Sequence, residues 1–416
     1  MVRRAPTPLE VAAIVGNGRL LAGFDAAGSL RMLTGPHLDY PQHIRSSRIA
    51  IGTGTLAWLD GPGWRHAQAY LPGTNVLSTR SERVGGRLRI EQRAVAIGDA
   101  LAIAVRIDGP AAARLRWELA LQVGGQLLAN ALIYHPDRDV LHAYFREHAL
   151  AIGASPRPSE VRAQAKGAGG GGVSRPAGFR LAAVGDVTAV LDVPAQPGRA
   201  VLLLIALGSS AAVMDRLVEL RRQLDASAEW PSEFAPPPLS GATRAAAVDG
   251  IPGLARVRAA ASDAYARSIL TIAQLTDRSG ALMAAPPVDA QYRGSGGYGY
   301  SWPRDGAFIA HALDVAGERG ASRSFYEWIL ALQPENGIWE QRYFADGVLA
   351  PSWAIHQLDE SGAVLWGLDH HLRVAWDGPL AERGLAAAVR TFRAITQMAA
   401  ETGWPPVTQN LWEDQD

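Results

Sequence analysis

Three short segments gather the side chains most suited to chemistry. The first is Tyr298-Gly299-Tyr300-Ser301-Trp302-Pro303-Arg304-Asp305. An arginine beside an aspartate offers donors and acceptors that can grip paired hydroxyls, and the aromatics supply flat walls. The same residues also admit a structural reading. Asp305 can cap a helix that begins there, and Pro303 suits a first helical turn. The second segment runs from Trp339-Glu340-Gln341-Arg342-Tyr343 through Asp346-Gly347 to Ser352-Trp353-Ala354-Ile355-His356-Gln357-Leu358-Asp359-Glu360. It mixes hydrogen-bonding side chains with aromatics just ahead of a helical pattern, the mixture that a carbohydrate site needs. The third is Asn410-Leu411-Trp412-Glu413-Asp414. A glutamate against an apolar neighbour has its charged form desolvated, which suits a proton donor near neutral pH. An exposed acidic stretch is the plainer reading of the same residues.

The elements that must position these segments fall into two halves. Up to about residue 235 the pattern is that of β-structure. Leu115, Trp117, Leu119 and Leu121 alternate with Arg114, Arg116 and Glu118, the period of a half-buried strand. Leu101 to Ile107, Val187 to Val193 and Val201 to Ala206 are apolar runs of strand length, and Gly85-Gly86 marks a turn within 84–97. Many short strands punctuated by glycine and proline predict an antiparallel β-sandwich over 1–235. Residues 167–172, GAGGGG, match G-x-G-x-x-G in form, but no helix pattern follows and the run reads as a hairpin loop. Pro236-Pro237-Pro238 opens a linker over 236–252. From 253 to 416 the period becomes helical. Leu254, Val257, Ala261, Tyr265, Ile269 and Ile272 recur every three or four residues. Further helices are predicted at about 305–317, 321–333, 360–374 and 380–401, closed by Gly317, Pro334 and Gly403 where those residues fall. Paired helices with functional loops between them suggest part of an (α/α)6 toroid. The adjacent His370 and His371 are assigned to a solvated helix surface.

Composition narrows the partners. Lysine plus arginine and aspartate plus glutamate both number 40, so no basic field exists to draw nucleic acid or an acidic membrane surface. No cysteine is present, which removes disulfides, thiolate catalysis and zinc–thiolate sites. No apolar run reaches the length of a membrane span and no signal-peptide core follows Met1, so a cytoplasmic location is expected. Neither the residues nor their spacing calls for a metal or a cofactor. Hydrophobic residues make up 48% of the 416, enough for more than one core.

Taken in order, Tyr-x-Tyr-Ser-Trp-Pro-Arg-Asp, Trp-x3-Gln-x-Asp and Leu-Trp-Glu resemble the segments of bacterial family-15 glycoside hydrolases, the glucoamylase and glucodextranase type. Asp359 and Glu413 lie a little over 50 residues apart, as in that family. The resemblance covers 250–416. Over the first half it is looser, resting on Gly16-Asn17-Gly18-Arg19 and Tyr70-Leu71-Pro72-Gly73-Thr74-Asn75, which are similar to the family's β-sandwich domain. The resemblance implies an exo-acting, inverting release of glucose from the non-reducing ends of α-glucans. It implies that Arg304 and Asp305 hold the terminal glucose and that Tyr298 lies beside the reacting sugar. Trp302 and Trp353 match pocket walls, and Arg342 matches a basic contact to substrate. Gln357 and Asp359 match the polar positions of the Trp-x3-Gln-x-Asp segment and are grouped with the substrate-binding residues. Glu413 matches the general acid. The family's general base, set roughly 6.5–9.5 Å across the ring from the acid, belongs to a later region. About five helices follow the linker where a full toroid has twelve. The chain is therefore expected to be a fragment that does not turn over alone and that leaves apolar helix faces exposed.

Other activities compete with this reading. Glucodextranase and trehalase belong to the same family. Disaccharide phosphorylases share the sandwich-plus-barrel plan but lack the Trp-Pro-Arg-Asp segment. A truncated homologue that binds sugar without catalysis is the non-enzymatic alternative.

Overall fold

The computed structural model describes residues 11–109, 112–166, 173–176, 180–210, 212–226, 255–288, 297–351, 357–400 and 403–404. The chain divides into two compact units, Met1–Pro237 and Pro238–Asp416. The proposed linker at 236–252 lies outside the described residues.

The first unit is built on antiparallel β-structure. A three-stranded sheet (Ala13–Gly16, Leu21–Phe24, Leu30–Thr34) accompanies a fourteen-stranded one. Where the sequence predicts separate packed sheets, the large sheet is one continuous array. So long an array does not stay flat. It turns at the strand Leu181–Ala195. Residues 181–185 of that strand pair with Asn130–His135, and residues further along pair with Ala113–Leu121 and Glu160–Lys166. Gly185 sits at the changeover with φ +117°, a conformation only glycine adopts without strain. The inward residues of both halves, among them Trp117, Leu119, Leu191, Ile103, Leu150 and Leu203, form one core. Trp117 brings its indole N–H into that core and donates it to Ser47 Oγ at 2.8 Å, so this buried donor is satisfied. The glycine-rich run 167–172 lies outside the described residues, but the strands flanking it, Glu160–Lys166 and Val173–Pro176, pair as a hairpin.

One element in this unit departs from the all-β expectation. Residues Val213–Ala226 form a helix, α1. Val213, Leu217, Leu220 and Leu224 pack onto Leu202, Leu204 and Ala206 and onto Ala100, Ala102 and Ala104. These are the outward-facing alternate residues of Ala200–Gly208 and Ala100–Asp108, whose inward neighbours fill the main core. Both strands are buried on two faces, which explains why they read as unbroken apolar runs rather than alternating ones.

The second unit is helical over most of its described residues, with α2 (Ala255–Gln274), α3 (Pro303–Ala316), α4 (Arg319–Ala331), α5 (Leu358–Val374) and α6 (Gly378–Ala399). Sequence signals set both ends of α3 and the start of α6. Pro303 opens α3, and Gly317 closes it in the left-handed conformation at φ 86°. Asp377 caps α6 by accepting from Leu380 N at 3.0 Å. Helix α3 packs against α4 and α5 at close range, because Gly306 has no Cβ to meet the ring of Phe325, and Gly367 has none to meet Tyr326 and Ala307. Phe308, Val315, Trp366, Leu385 and Phe392 leave apolar helix faces exposed. Among the described residues, no helix is long and apolar enough to cross a membrane.

Candidate functional site

The segment that leads into α3 is fixed by main-chain bonds before its side chains are considered. Tyr300 O accepts from Ala284 N at 2.9 Å, and Ser301 exchanges two hydrogen bonds with Tyr343 at 3.0 and 2.9 Å. The strip is thus stitched into the loops on either side. Tyr300 stands edge-on to Trp302 and to Phe344, with ring centroids 5.9 and 5.3 Å apart. Arg342 is buried. Its guanidinium carbon lies 5.0 Å from the Tyr300 ring centroid and 5.3 Å from that of Trp302, and its Nε donates to Pro351 O. A cation held against two aromatic faces braces them. Tyr298 lies 6.0 Å from Trp302, centroid to centroid, and is 44% exposed, so this end of the aromatic wall is open.

Trp302 is the residue before the first helical turn of α3 and provides no side-chain cap. Asp305 therefore does not serve as the N-cap; it sits inside the first turn. Arg304 precedes it and contacts three carboxyl side chains. Its Nη1 lies 2.5 Å from Asp359 Oδ2 and 3.2 Å from Glu360 Oε1, and its Nη2 lies 3.6 Å from Asp305 Oδ2. Its backbone N–H donates to Glu360 Oε2 at 2.5 Å. The three carboxyls differ sharply in exposure. The side chains of Asp305 and Asp359 are 40% and 32% exposed, while that of Glu360 is 0% exposed. One guanidinium thus presents two half-exposed carboxylates and rests on a third carboxyl that is sealed away.

Burial and charge pull these groups in different directions. Burial pushes Glu360 from 4.5 up to about 8, and Arg304 only partly opposes the rise. The guanidinium is shared with Asp359 and Asp305, whose own negative charges favour the neutral form of Glu360. Burial also raises Asp305, again against the pull of Arg304. For Arg304, burial disfavours the charge, but Glu360, Asp359 and Asp305 together outweigh it and hold the group above its ordinary value. The cluster can therefore donate from a permanently charged guanidinium and accept at two half-exposed carboxylates, which suits a neutral ligand rich in hydroxyls.

The structure brings Arg304, Asp305 and Asp359 together, with Trp302 and Tyr298 on the adjoining wall. Gln357 is the buried residue that precedes α5, two positions before Asp359. Arg342 stands behind the aromatic wall. Trp353, His356 and Glu413 lie outside the described residues. Two further anchors hold the second segment in place. Trp339 N donates to Ser361 Oγ at 3.1 Å, and its indole N–H donates to Ile329 O at 2.8 Å.

Glu360 is the residue that sequence reasoning missed. An acidic residue in the first turn of a helix is ordinarily explained by the helix dipole, and nothing in its spacing marks it as a buried partner of Arg304. His371 departs from expectation in another way. It is not on a solvated surface but buried, with Nδ1 at 2.9 and 3.1 Å from the carboxylate of Asp314 on α3. Adjacent residues point to different helix faces, and α3 covers the face that carries His371.

No family model matches the chain. Over 117 residues it is 35% identical to a protein of Methanocaldococcus jannaschii described as an uncharacterized glycosyl hydrolase, MJ1610, a match that takes in 28% of this chain and 18% of that one. Among solved structures, a bacterial glucoamylase complexed with acarbose superposes with a TM-score of 0.64 at 13% identity, over 88% of this chain and 56% of that one. A family GH92 inverting mannosidase from Bacteroides thetaiotaomicron superposes with a TM-score of 0.45 at 10% identity, over 97% and 56%. The chain thus spans about half the length of these solved proteins. Over part of its length it is related in sequence to a protein described as a glycosyl hydrolase, and its fold is similar to part of a bacterial glucoamylase.

Proposed function

We propose that this chain carries the sugar-gripping part of a glycoside hydrolase that removes glucose from the non-reducing ends of α-glucans with inversion. The observation that carries this reading is the Arg304 cluster, a fixed guanidinium with two half-exposed carboxylates beside the Tyr298–Trp302 wall. The end of a sugar chain presents adjacent hydroxyls, each both donor and acceptor, on a ring whose C–H faces suit an aromatic surface. Arg304 donates to such hydroxyls, and Asp305 and Asp359 accept from them. The shared fold with a glucoamylase that holds acarbose supports the choice of an α-glucan.

In this reading the helices of the second unit are part of an (α/α)6 toroid. Tyr298 faces the reacting ring, Trp353 adds to the wall, and Gln357 and Arg342 hold the pocket's polar and aromatic lining. Glu413 protonates the leaving oxygen, with Trp412 beside it to disfavour its charged form.

Ligand binding tests the reading without requiring turnover. Acarbose titrated into the purified chain is expected to change the tryptophan fluorescence saturably. Arg304→Met removes two charge-assisted contacts and should weaken binding by about 100-fold. A folded wild-type chain that ignores acarbose, or an Arg304→Met chain that binds it equally well, would overturn the proposal. Glucose release from maltotetraose, compared with Glu413→Gln, tests the acid separately.

A further inference from the structure

We propose that Glu360 is a positioning residue of this site: by capping α3 from another helix it fixes Arg304, and through Arg304 the relative placement of Asp305 and Asp359. The argument begins with the helix terminus. The first N–H groups of any helix lack partners inside it. Pro303 has none to satisfy, Trp302 offers no side-chain acceptor, and the first intrahelical bond runs from Gly306 N to Trp302 O at 2.8 Å. The N–H of Arg304 is left over, and Glu360 accepts it from the first turn of α5, 56 residues later in the chain.

The same carboxyl also touches the Arg304 guanidinium at 3.2 Å. One fully buried group therefore holds both the main chain and the side chain of Arg304. The two half-exposed carboxylates are its immediate neighbours in sequence, Asp305 following Arg304 and Asp359 preceding Glu360. A single inter-helix bond thus sets where both acceptors stand. A long arginine side chain fixed in advance loses less freedom when a ligand arrives.

Packing alone does not call for a carboxyl at this place. Burying an ionisable group is costly, and a serine or threonine at the cap position would satisfy the amide more simply. Oε1 of Glu360 is buried, and the contact it makes is the ion pair with Arg304 Nη1 at 3.2 Å, so both oxygens of the carboxyl are turned to Arg304. The charged and titratable groups around it are Arg304 and Asp305 from α3, Asp359 on its own helix, and Tyr343 from the loop before α5. Burial holds its titration at about 8, so near neutral pH it acts chiefly as a neutral acceptor. Glutamine can take over that role.

The binding arm of the test rests on the sugar reading given above; the exchange arm does not. In the full chain, Glu360→Gln keeps an acceptor, while Glu360→Met keeps the volume and loses it. Glu360→Leu is the second acceptor-free variant should Met not fold. Amide exchange at Arg304 and the Kd for maltotetraose are measured for each. Loss of a helix cap predicts exchange about tenfold faster and binding about tenfold weaker in Glu360→Met, with both within about threefold of wild type in Glu360→Gln. If Glu360→Met leaves the exchange unchanged, the capping role is refuted. If it speeds exchange but leaves Kd unchanged, the residue is only structural and the positioning role is refuted. A wild-type chain that does not bind maltotetraose refutes the sugar reading instead, and the exchange comparison still decides the capping.

Discussion

Replacing Glu360 by glutamine should make the second unit more stable, and by an amount that grows with pH. The carboxyl titrates at about 8 in the folded chain against 4.5 when exposed. Below 4.5 it is protonated in both states and has no effect. Between 4.5 and about 8 the unfolded chain releases the proton while the folded chain retains it, so stability is lost progressively as pH rises. Above about 8 the folded form ionises too and the loss levels off. Each pH unit in that window is worth about 1.4 kcal/mol, so the full loss is on the order of 5 kcal/mol. Glutamine keeps the acceptor for Arg304 N and does not titrate. Urea unfolding followed by fluorescence, at pH 5, 6.5 and 8, should show Glu360→Gln gaining on wild type by about 1 kcal/mol or less at pH 5 and by several at pH 8. A difference between the two proteins that stays constant across this range would refute the argument, since it would mean that Glu360 is ionised in the fold throughout.

Three further outcomes follow from the packing. Gly306→Ala places a Cβ 2.3 Å from the fully buried ring of Phe325, so the usual helix gain of about 1 kcal/mol should be outweighed and the melting temperature should fall; a raised Tm would show that α3 and α4 can separate without cost. In the first unit, His43 is fully buried with Nε2 at 2.7 Å from Gly35 O, and Gly124 N donates to its Nδ1 at 3.2 Å, which requires the neutral ring. Burial lowers it to about 4, so stability should be lost as pH falls from 6.5 towards 4, by about 3 kcal/mol, and His43→Gln should show a shallower acid dependence in urea titrations. His371→Ala strands the Asp314 carboxylate inside the protein and should cost about 3 kcal/mol in thermal unfolding, with Asp314→Asn milder because it leaves no buried charge.

Local order was largely written in the sequence. Alternation at Leu115, Trp117, Leu119 and Leu121 marked a strand whose apolar side faces a core, because side chains on a strand alternate between faces. Gly317 marked the end of α3, because only a glycine enters the left-handed region freely. Helix α1 was legible too. Val213, Leu217, Leu220 and Leu224 recur at a helical spacing, and the expectation of an all-β half passed over them. What covers a strand's second face, as α1 covers Ala200–Gly208, is not a property of that strand's own period.

The site divides along the same line. Arg304 and Asp305 could be singled out because they are adjacent and stand among aromatics, a pattern that one segment contains entirely. That Asp359 and Glu360 meet Arg304 depends on how α3 packs against α5, and therefore on Gly306 and Gly367 allowing the helices to approach. The sequence by itself determined the residue types, the element boundaries and the neutral, cysteine-free character of the chain. Only the tertiary structure decided that Glu360 is sealed from water while Asp359, one residue away, is half exposed. Burial belongs to the packed assembly of helices and not to the residue, and burial is what makes one of two neighbouring acids a support and the other a surface that a ligand can reach.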